Sequence, residues 1–517
     1  MTTFRLEDPS LRQPADAHAF NEASAVRSAD QTIAKRIWMV TIVAYLALAT
    51  ATAVTRQPYG DEGELASPAY NLVHRGHLEV TQWEGPRLSH KAYWMPPVFF
   101  FGQAAWEMIV GFGIIQFRMG TVMWGLVLLL AAASVVRRVT GDGVLAALIG
   151  LALGTDYTYL MHAGIGRCEI MSAALAILSS AVYLSLRGRS LTVAVFTSHA
   201  LMTLSGLTHP VGGMVWMPCL LGLQFWLDGR RLRWKEYALG ALPYFIGATA
   251  WGAYILQDPA EFKRQFFGIS LGEHRLAAFA DPIGAFQREL GRFLGYYGVR
   301  PKASWAVRLK GLLPLGYLVG LTGALLIPSV RRNRFIRVCL LLFTIQLLIL
   351  TFIEGTKQYH YIVDVIPTLV AILVAALWAL FTSQPARRRI FAAVGLLFVI
   401  IQVAPVLFRV RENPYRRDWL PTIQTARPFV EQKLLVVGGP EFGIPFGFPE
   451  NVISRPDYGF ASKRTPDLII TSLAQFERNT ALARSDPAYY HYMTVTFRQR
   501  FHPIFRSGDF AIYKPLN

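Results

Sequence analysis

The amino-acid sequence predicts a mainly α-helical, polytopic membrane protein with about eleven transmembrane helices. It also predicts an interfacial helix on the outer face and a small C-terminal α/β domain. Hydrophobic residues make up 53% of the chain and charged residues 16%, against about 25% in soluble domains. Many apolar runs are about 17–25 residues long with few or no charges, which is the length that a helix needs to cross a bilayer.

The N-terminal 34 residues are polar and lack the apolar core of a secretory signal. We expect residues 1–34 to form a disordered cytoplasmic tail, followed by an uncleaved first span and a transmembrane domain over residues 35–409. The candidate spans cover approximately residues 37–55, 117–136, 142–160, 169–186, 192–208, 210–227, 237–256, 308–328, 335–353, 360–381 and 389–408.

Basic residues predict the orientation of these spans. If the N-terminus is inside, every short inside loop is basic, whereas the short outside connections carry almost no arginine or lysine. The net charge of +18 therefore reflects membrane orientation and lipid phosphates, and we expect no nucleic-acid partner. The basic loops contain Arg137 with Arg138, Arg187 with Arg189, and the segments 230–235, 331–337 and 387–389.

The segment "PPVFFFGQAAWEMIVGFGII" (96–115) is apolar enough to be a span, but counting it would place all the basic loops outside. It contains Gln103 and Glu107, and it opens on Pro-Pro, which suits the start of a helix. We therefore predict an interfacial or re-entrant helix within the outer loop 56–116. A second long outer loop covers residues 257–307.

The C-terminal region, residues 410–517, has short β-rich runs such as "KLLVVGG" and "DLIITSL", broken by Pro and Gly. This pattern predicts a small extracytoplasmic α/β domain. The three cysteines, Cys168, Cys219 and Cys339, lie in different apolar segments without metal spacing. The spacing argues against both a disulfide framework and a zinc site.

Ionisable residues within spans are expensive and usually functional. His199 is the main one that we identify inside a span, and we expect it to bond to a neighbouring helix. The others gather at the outer ends of the spans, which predicts an enzyme acting on a lipid with a polar head. They are Asp61, Glu62, Glu64, Asp156, His162, Arg167, Glu169, His209, Glu354, Lys357, His360 and Asp364.

These residue types suggest group transfer from a lipid phosphate. Arg167, Lys357 and His360 are suited to hold a phosphate. A carboxylate on the opposing loop can take a proton from an attacking hydroxyl. The substrate would then place its lipid tail in the bilayer and its phosphate at the outer surface.

Four stretches carry a resemblance to a known family: "YGDEGELASPAYNLVHRGHL", "MPPVFFFGQAAWEM", "GRCEIMSAALAILSSAVYL" and "KQYHYIVDVIP". Over roughly residues 37–410, the chain resembles the polyprenyl-phosphate-sugar-dependent glycosyltransferases of the GT-C fold. That group holds the protein O-mannosyltransferases and the aminoarabinose transferase of lipid A. Its members carry an Asp-Glu pair after the first span and a late Lys-x-x-His-Tyr motif.

The resemblance implies roles for the matching residues. Asp61 would be the catalytic carboxylate that deprotonates or orients the acceptor, and Glu62 would support it. Lys357, His360 and Tyr361 match the donor-binding motif.

Arg167 and Glu169 match a second polar cluster near the cavity, although Glu169 replaces a more usual Asp. Met95 stands where the family has a basic residue before Pro-Pro, so we consider Lys91 or His90 as its substitute. Asp364 stands where a Pro is common.

The sequence therefore predicts an inner-membrane glycosyltransferase that moves a sugar from a polyprenyl-phosphate carrier to a lipid, glycan or protein acceptor on the outer face. We expect no nucleotide cofactor. A divalent metal stays open, with Asp61 and Glu169 as candidate ligands. The alternatives are a polyprenyl-lipid flippase or exporter, which needs polar groups through the full bilayer, and a non-catalytic scaffold that presents the C-terminal domain.

The predicted orientation can be tested with reporter fusions. A fusion at Arg138 should report the cytoplasmic side and a fusion after Asn517 the outer side, because an odd number of spans separates an inside N-terminus from an outside C-terminus. If the two sides are exchanged, with Arg138 outside and Asn517 inside, residues 96–115 cross the membrane and the interfacial interpretation is wrong.

Overall fold

The computed structural model describes residues 14–83, 90–268, 277–298, 305–454, 457–460 and 463–516. In this part of the chain, long helices form one bundle. The helices up to the end of the bundle are α1 Pro14–Thr55, α2 Gly60–Arg75, α3 Val98–Val110, α4 Ile114–Thr140, α5 Gly143–Gly154, α6 Tyr157–Ala163, α7 Glu169–Leu186, α8 Leu191–Thr208, α9 Pro210–Asp228, α10 Trp234–Ile255, α11 Pro259–Phe262, α12 Pro282–Tyr297, α13 Trp305–Lys310, α14 Leu313–Leu326, α15 Pro328–Arg331, α16 Arg334–Ile353, α17 Ile366–Ser383 and α18 Arg388–Glu412.

Among the described residues, nine helices are long and apolar enough to cross a membrane, and eleven spans result if each bent pair counts as one. The bent pairs are α5 with α6, at 65°, and α10 with the segment 259–267, at 108°. The prediction of a polytopic membrane protein with about eleven spans is confirmed. The side of the membrane that each loop occupies stays a prediction.

The first helix begins earlier than the sequence predicts. Helix α1 has 42 residues and starts at Pro14, so residues 14–34 are helical where we expected a disordered tail over 1–34. The apolar part that could cross a membrane is Asp30–Thr55, which contains the predicted span 37–55. Residues 1–13 lie outside the described part of the chain.

The loop 56–116, which the sequence predicts to be outside, contains two helices. Helix α2 carries Asp61 and Glu62 in its first turn, where the helix dipole favours negative charge. It ends at Gly76 with φ +79°, a left-handed conformation that suits glycine. The stretch "GDEGELA" is therefore the start of a helix rather than an open loop.

Helix α3 is the short apolar helix predicted within 96–115. Its 13 residues span about 20 Å at a rise of about 1.5 Å per residue, too short for a hydrocarbon core of about 30 Å. Met108 and Ile109 are 70% and 79% exposed, which suits contact with lipid. Its place on the outer face stays a prediction.

The second predicted outer loop, 257–307, also contains helices, and two Asp-Pro pairs begin two of them. Asp258 accepts a hydrogen bond from the backbone N–H of Glu261 at 3.0 Å, and Asp281 accepts one from Gly284 at 2.9 Å. Aspartate at the cap with proline at the first helical position is a strong start signal. These caps fix the starts of α11 and α12 beside the bundle.

The C-terminal region forms the predicted small α/β domain. Its helices and strands are α19 Leu420–Glu431, β1 Val436–Gly438, β2 Val452–Ser454, β3 Leu468–Ser472, α20 Leu473–Leu482, α21 Pro487–His491, α22 Phe497–Arg500, β4 Phe501–Ser507 and β5 Phe510–Pro515. The sheet has the strand order β2-β1-β3-β5-β4, with β1 parallel to β2 and β3, and β5 antiparallel to β3 and β4.

This domain packs directly against α2. A Cβ built on Gly63 would lie 2.1 Å from the backbone carbonyl of Pro440, so only glycine permits the observed approach. The Arg75 guanidinium donates a hydrogen bond to the Phe448 carbonyl at 3.1 Å. The C-terminal domain therefore braces the helix that carries Asp61.

This close approach predicts that Gly63→Ala loosens the C-terminal domain. The added methyl group must displace the Pro440 backbone, and such overpacking costs about 1–3 kcal/mol. Gly60→Ala is the matched control, because a Cβ there meets its nearest atom, in Glu441, at an ordinary 3.5 Å. Thermal unfolding and limited proteolysis between residues 412 and 460 measure the effect. Equal stability of the two variants would contradict the close packing at Gly63.

Candidate active site

A polar cavity of about 850 Å³ lies at one end of the helical bundle. Helix α7 begins beside it at Glu169 and runs 18 residues away from it, about 27 Å at about 1.5 Å per residue, to the basic loop at Arg187. The cavity and that basic loop therefore lie at opposite ends of the bundle. The lining includes Asp61, Glu64, Trp94, Met95, Arg167, His209, Lys357, His360 and Tyr361.

Asp61 and Arg167 meet in this cavity. The Asp61 side chain is 40% exposed and forms an ion pair with Arg167 Nη1, whose own side chain is 8% exposed. Arg167 Nη2 also contacts Glu169 Oε1 at 2.5 Å, and Arg167 Nε donates to the same carboxylate at 3.1 Å. An arginine has five N–H donors, so two of them are left for a substrate.

Glu62 lies behind Asp61, outside the cavity lining. Its carboxylate is fully buried and pairs with Arg118, with both N···O distances 2.6 Å. It also accepts the N–H of Gly166 at 2.8 Å and that of Tyr59 at 2.9 Å. Burial opposes ionisation, but Arg118 outweighs it and holds the pKa of Glu62 below its usual value. Glu62 is therefore placed to position Asp61, the residue next to it in the chain.

His360 and Tyr361 also line the cavity. The His360 ring lies 5.7 Å from the Tyr59 ring, and the Tyr361 ring lies 5.2 Å from the His209 ring. Burial and the nearby Arg167 charge hold the pKa of His360 well below its usual value. His360 is therefore a neutral imidazole at neutral pH, and it offers a phosphate a hydrogen bond rather than a positive charge.

Lys357 also lines the cavity, but its ammonium group points into a buried ion cluster. Nζ lies 3.1 Å from Glu289 Oε2 and donates to the carbonyls of Leu350 and Thr351 at 3.1 and 2.7 Å. Arg292 contacts Glu289 at 2.8 Å and Glu354 at 3.1 Å. All three ammonium N–H groups thus have acceptors within the protein. Lys357 is 8% exposed, so its ammonium group is held by protein groups rather than by solvent.

The backbone of Lys357 is unusual as well. Its φ is +56°, in the left-handed region that a non-glycine residue seldom adopts. Such conformations persist where the surroundings enforce them, and they cluster at functional sites. Here the enforcing contacts are the ion pair with Glu289 and the two carbonyls at the end of α16.

Several predicted residues lie away from the cavity. The Lys91 ammonium donates to Gln257 Oε1 at 3.2 Å, and neither Lys91 nor His90 is among the lining residues. Asp364 is buried and accepts from Trp216 Nε1 at 3.3 Å, and burial raises its pKa to about 7. The ionisable residues that the sequence places at the outer ends of the spans therefore form two layers. One layer lines the cavity, and the other is buried behind it.

His199, predicted to bond to a neighbouring helix, does so. Its Nδ1 lies 2.9 Å from the Tyr244 hydroxyl and its Nε2 lies 3.1 Å from Gln224 Oε1. Both ring nitrogens have partners on other helices, α10 and α9. This histidine stabilises helix packing and lies outside the cavity lining.

The two carboxylates considered as candidate ligands of a divalent metal do not fit that use. Asp61 and Glu169 both contact Arg167, whose positive charge already lies between them and would repel a cation. Within the described residues, the one cluster of three possible ligands is Cys168, Glu169 and His209. Its carboxylate is the one that Arg167 holds, so we derive no step through a metal.

The sequence analysis missed three contributors to this region. Arg118 lies in an apolar run, and a charge inside a span is itself a warning of function. Glu289 and Arg292 occur as an ordinary i, i+3 pair on α12, and their burial against Lys357 has no local sequence signal.

The helical bundle with its small C-terminal domain has the GT-C fold. No protein-family model and no curated protein sequence matches the chain. The crystal structure of ArnT from Cupriavidus metallidurans bound to undecaprenyl phosphate matches at a TM-score of 0.58 and 16% identity, covering 92% of this chain and 97% of that one.

The oligosaccharyltransferase of Archaeoglobus fulgidus also shares the fold. Its structure tethered to an acceptor peptide matches at a TM-score of 0.53 and 13% identity, covering 92% of this chain and 74% of that one. Its complex with Zn and sulfate matches at 0.51 and 11% identity, covering 91% and 73%. The predicted resemblance to GT-C enzymes is confirmed in the fold.

The ion cluster predicts that Lys357→Met alone destabilises the protein. Glu289 and Glu354 would then have Arg292 as their only cation in the cluster, and breaking a buried pair costs about 3–5 kcal/mol. Lys357→Met combined with Glu289→Gln restores neutrality, so thermal unfolding of the purified protein should show most of this loss recovered.

A measurement of undecaprenyl phosphate binding distinguishes an effect of Lys357 on protein stability from a contact between Lys357 and a phosphate. If Lys357 also contacts a phosphate, the double variant is stable but binds this lipid more weakly. Glu289→Gln alone keeps the ammonium group and serves as the control. Wild-type affinity in the stable double variant would remove Lys357 from phosphate binding.

Proposed function

We propose that the protein is an integral membrane glycosyltransferase that moves a sugar from a polyprenyl-phosphate carrier to an acceptor on the outer face. The observation that carries this proposal is the pairing of Asp61 with Arg167 in a polar cavity at one end of a membrane bundle. A carboxylate and a guanidinium side by side can serve an attacking hydroxyl and a leaving phosphate.

The cavity wall supports a lipid-linked donor. Next to the polar groups, the lining contains the apolar side chains of Val211, Met214, Phe266, Phe267 and Ile353. An isoprenoid tail can lie along such a wall while its phosphate reaches Arg167. The fold shared with an ArnT structure that binds undecaprenyl phosphate supports the same donor class.

The reaction follows from these positions. The acceptor oxygen attacks the anomeric carbon, its proton passes to Asp61, and the bond from that carbon to the phosphate oxygen breaks. The phosphate leaves with the bonding electrons and remains on the polyprenyl chain. A single displacement of this kind inverts the anomeric centre.

Arg167 links the two halves of this reaction. As Asp61 takes up a proton, its attraction for Arg167 falls, while the leaving phosphate gains negative charge. The guanidinium therefore interacts more strongly with phosphate in the transition state than in the ground state, which is the condition for catalysis. His360, as a neutral donor, would add a hydrogen bond to the same phosphate.

Neither alternative function gains a specific observation. An exporter needs polar groups across the bundle, whereas the helices below the cavity bury two apolar clusters, one with Ile177 and Val215 and the other with Leu175. A non-catalytic scaffold would not need the Asp61 carboxylate, so replacing Asp61 distinguishes a scaffold from an enzyme.

Asp61→Asn should abolish transfer while leaving expression and lipid binding largely intact. The amide keeps the shape and can still accept a hydrogen bond from Arg167, but it cannot take up the proton. Loss of a general base typically lowers the rate about 10²–10⁴-fold. Transfer of radiolabelled sugar from cellular polyprenyl-phosphate donors to envelope acceptors measures the rate.

Glu64→Gln is the matched control, because Glu64 lies on the same helix and lines the same cavity. Its variant should retain most of the activity. If Asp61→Asn transfers sugar as fast as Glu64→Gln, Asp61 is not the base and the scaffold alternative gains weight.

A further inference from the structure

A second cavity, of about 500 Å³, lies in the half of the bundle away from the active site. Helix α16 ends beside the active-site cavity at Ile353, and its opposite end, from Arg334 to Ile345, lines the second cavity. That stretch measures about 16 Å at about 1.5 Å per residue. The second cavity therefore has roughly the depth of one leaflet, half of a hydrocarbon core of about 30 Å.

The wall of this cavity is apolar and open to the lipid-facing surface. Its lining comes mainly from Val, Ile, Leu, Ala and Trp side chains of α4, α5, α7, α9, α16 and α17. Gly222 and Leu341 belong to the lining and are exposed on the surface of the bundle. A hydrocarbon chain from the surrounding leaflet can therefore enter the groove from the side.

Two arginines, Arg334 and Arg337, lie at the mouth of the groove, at the basic end of the bundle. Both are exposed, and the ion pairs of the described residues include neither of them. The Arg334 guanidinium lies 4.5 Å from the ring centre of Trp226, a cation–π contact that holds it at the mouth of the groove. The N–H groups of Phe335 and Ile336 are already bonded to Asn333, so the arginines are the anion-binding groups here.

We propose that this groove binds one anionic glycerophospholipid of the leaflet at the basic end of the bundle. An acyl chain occupies the apolar groove, and the lipid phosphate contacts Arg334 and Arg337. Guanidinium groups bind phosphate through paired N–H donors. A volume of about 500 Å³ is within the usual range of about 300–1,000 Å³ for ligand sites. The depth of one leaflet favours a phospholipid over a long polyprenyl chain.

The groove is separate from the active-site cavity, and the proposal does not depend on the proposed glycosyltransferase activity. The two cavities share none of their lining residues. A lipid in this groove would fill the space between α9, α16 and α17. Its expected consequence is a higher thermal stability of the protein when the lipid is bound.

Native mass spectrometry of the purified, delipidated full chain tests the headgroup contact. After incubation with phosphatidylglycerol, we expect one retained lipid per protein and at least tenfold weaker retention of phosphatidylcholine. Arg334→Gln with Arg337→Gln should lower phosphatidylglycerol occupancy at least tenfold. Arg387→Gln with Arg389→Gln removes the same charge from the exposed start of α18, outside the groove, and should leave the occupancy unchanged.

A second pair of variants tests the groove itself. A Cβ on Gly222 meets no atom within 4 Å, so Gly222→Leu can fill the groove without disturbing the helix. Gly395→Leu, at an equally open position outside the groove, is the control. We expect the first to lose retained phosphatidylglycerol and the lipid-dependent rise in melting temperature, and the second to keep both.

Three outcomes would overturn the proposal. The first is equal retention of phosphatidylglycerol and phosphatidylcholine, because this would indicate ordinary annular lipid. The second is unchanged phosphatidylglycerol binding in the Arg334 and Arg337 double variant. The third is displacement of phosphatidylglycerol by equimolar undecaprenyl phosphate. Each variant is compared only as a monodisperse, folded protein. If the double arginine variant does not fold, the Gly222→Leu comparison decides.

Discussion

The buried ion pair between Glu62 and Arg118 is the interaction on which the candidate active site depends. Arg118 uses all five N–H donors, two on Glu62 and three on the carbonyls of Ala53, Arg56 and Gln57. Glu62 in turn accepts the N–H of Gly166. The pair therefore joins the end of α1, the start of α2, α4 and the segment before α7 at one point.

The free-energy cost of burying these two charges explains why all of their hydrogen-bonding groups have partners. A buried pair is tolerated only if every remaining donor and acceptor is satisfied, and here each is. The residue before Glu62 is Asp61, and the residue after Gly166 is Arg167. Fixing the buried pair thus fixes the backbone of the two groups that meet in the cavity, while leaving their side chains on the cavity side.

The sequence predicts the parts of this fold that depend on hydrophobic length. Apolar runs indicate the spans because a bilayer imposes about 20 apolar residues on a helix. Pro96 and the polar Gln103 and Glu107 indicate a helix that does not cross. The sequence assigns a functional role to the first-turn acids of α2 but does not predict their helical conformation, because the local signal is short and contains two glycines and a proline.

Pairings between distant segments are the parts that the sequence does not predict. Arg118 and Glu62 are 56 residues apart, and no periodicity indicates that they meet. The same is true of Pro440 against Gly63 and of Glu289 against Lys357. Depth in the membrane can be inferred from position in a span, whereas direction around the helix and the partner across the bundle depend on tertiary packing.

Lys357 shows how that limitation changes a functional inference. Its place before a span and its match to a donor-binding motif both predict a free ammonium group at the membrane surface. The structure instead surrounds the ammonium with Glu289 and two carbonyls, and burial lowers its pKa despite the attraction of Glu289. A phosphate at Lys357 would therefore compete with Glu289 on α12, or with one of the two carbonyls, for an N–H donor. The motif match thus falls on a buried ion cluster, and a role of Lys357 in donor binding stays a prediction.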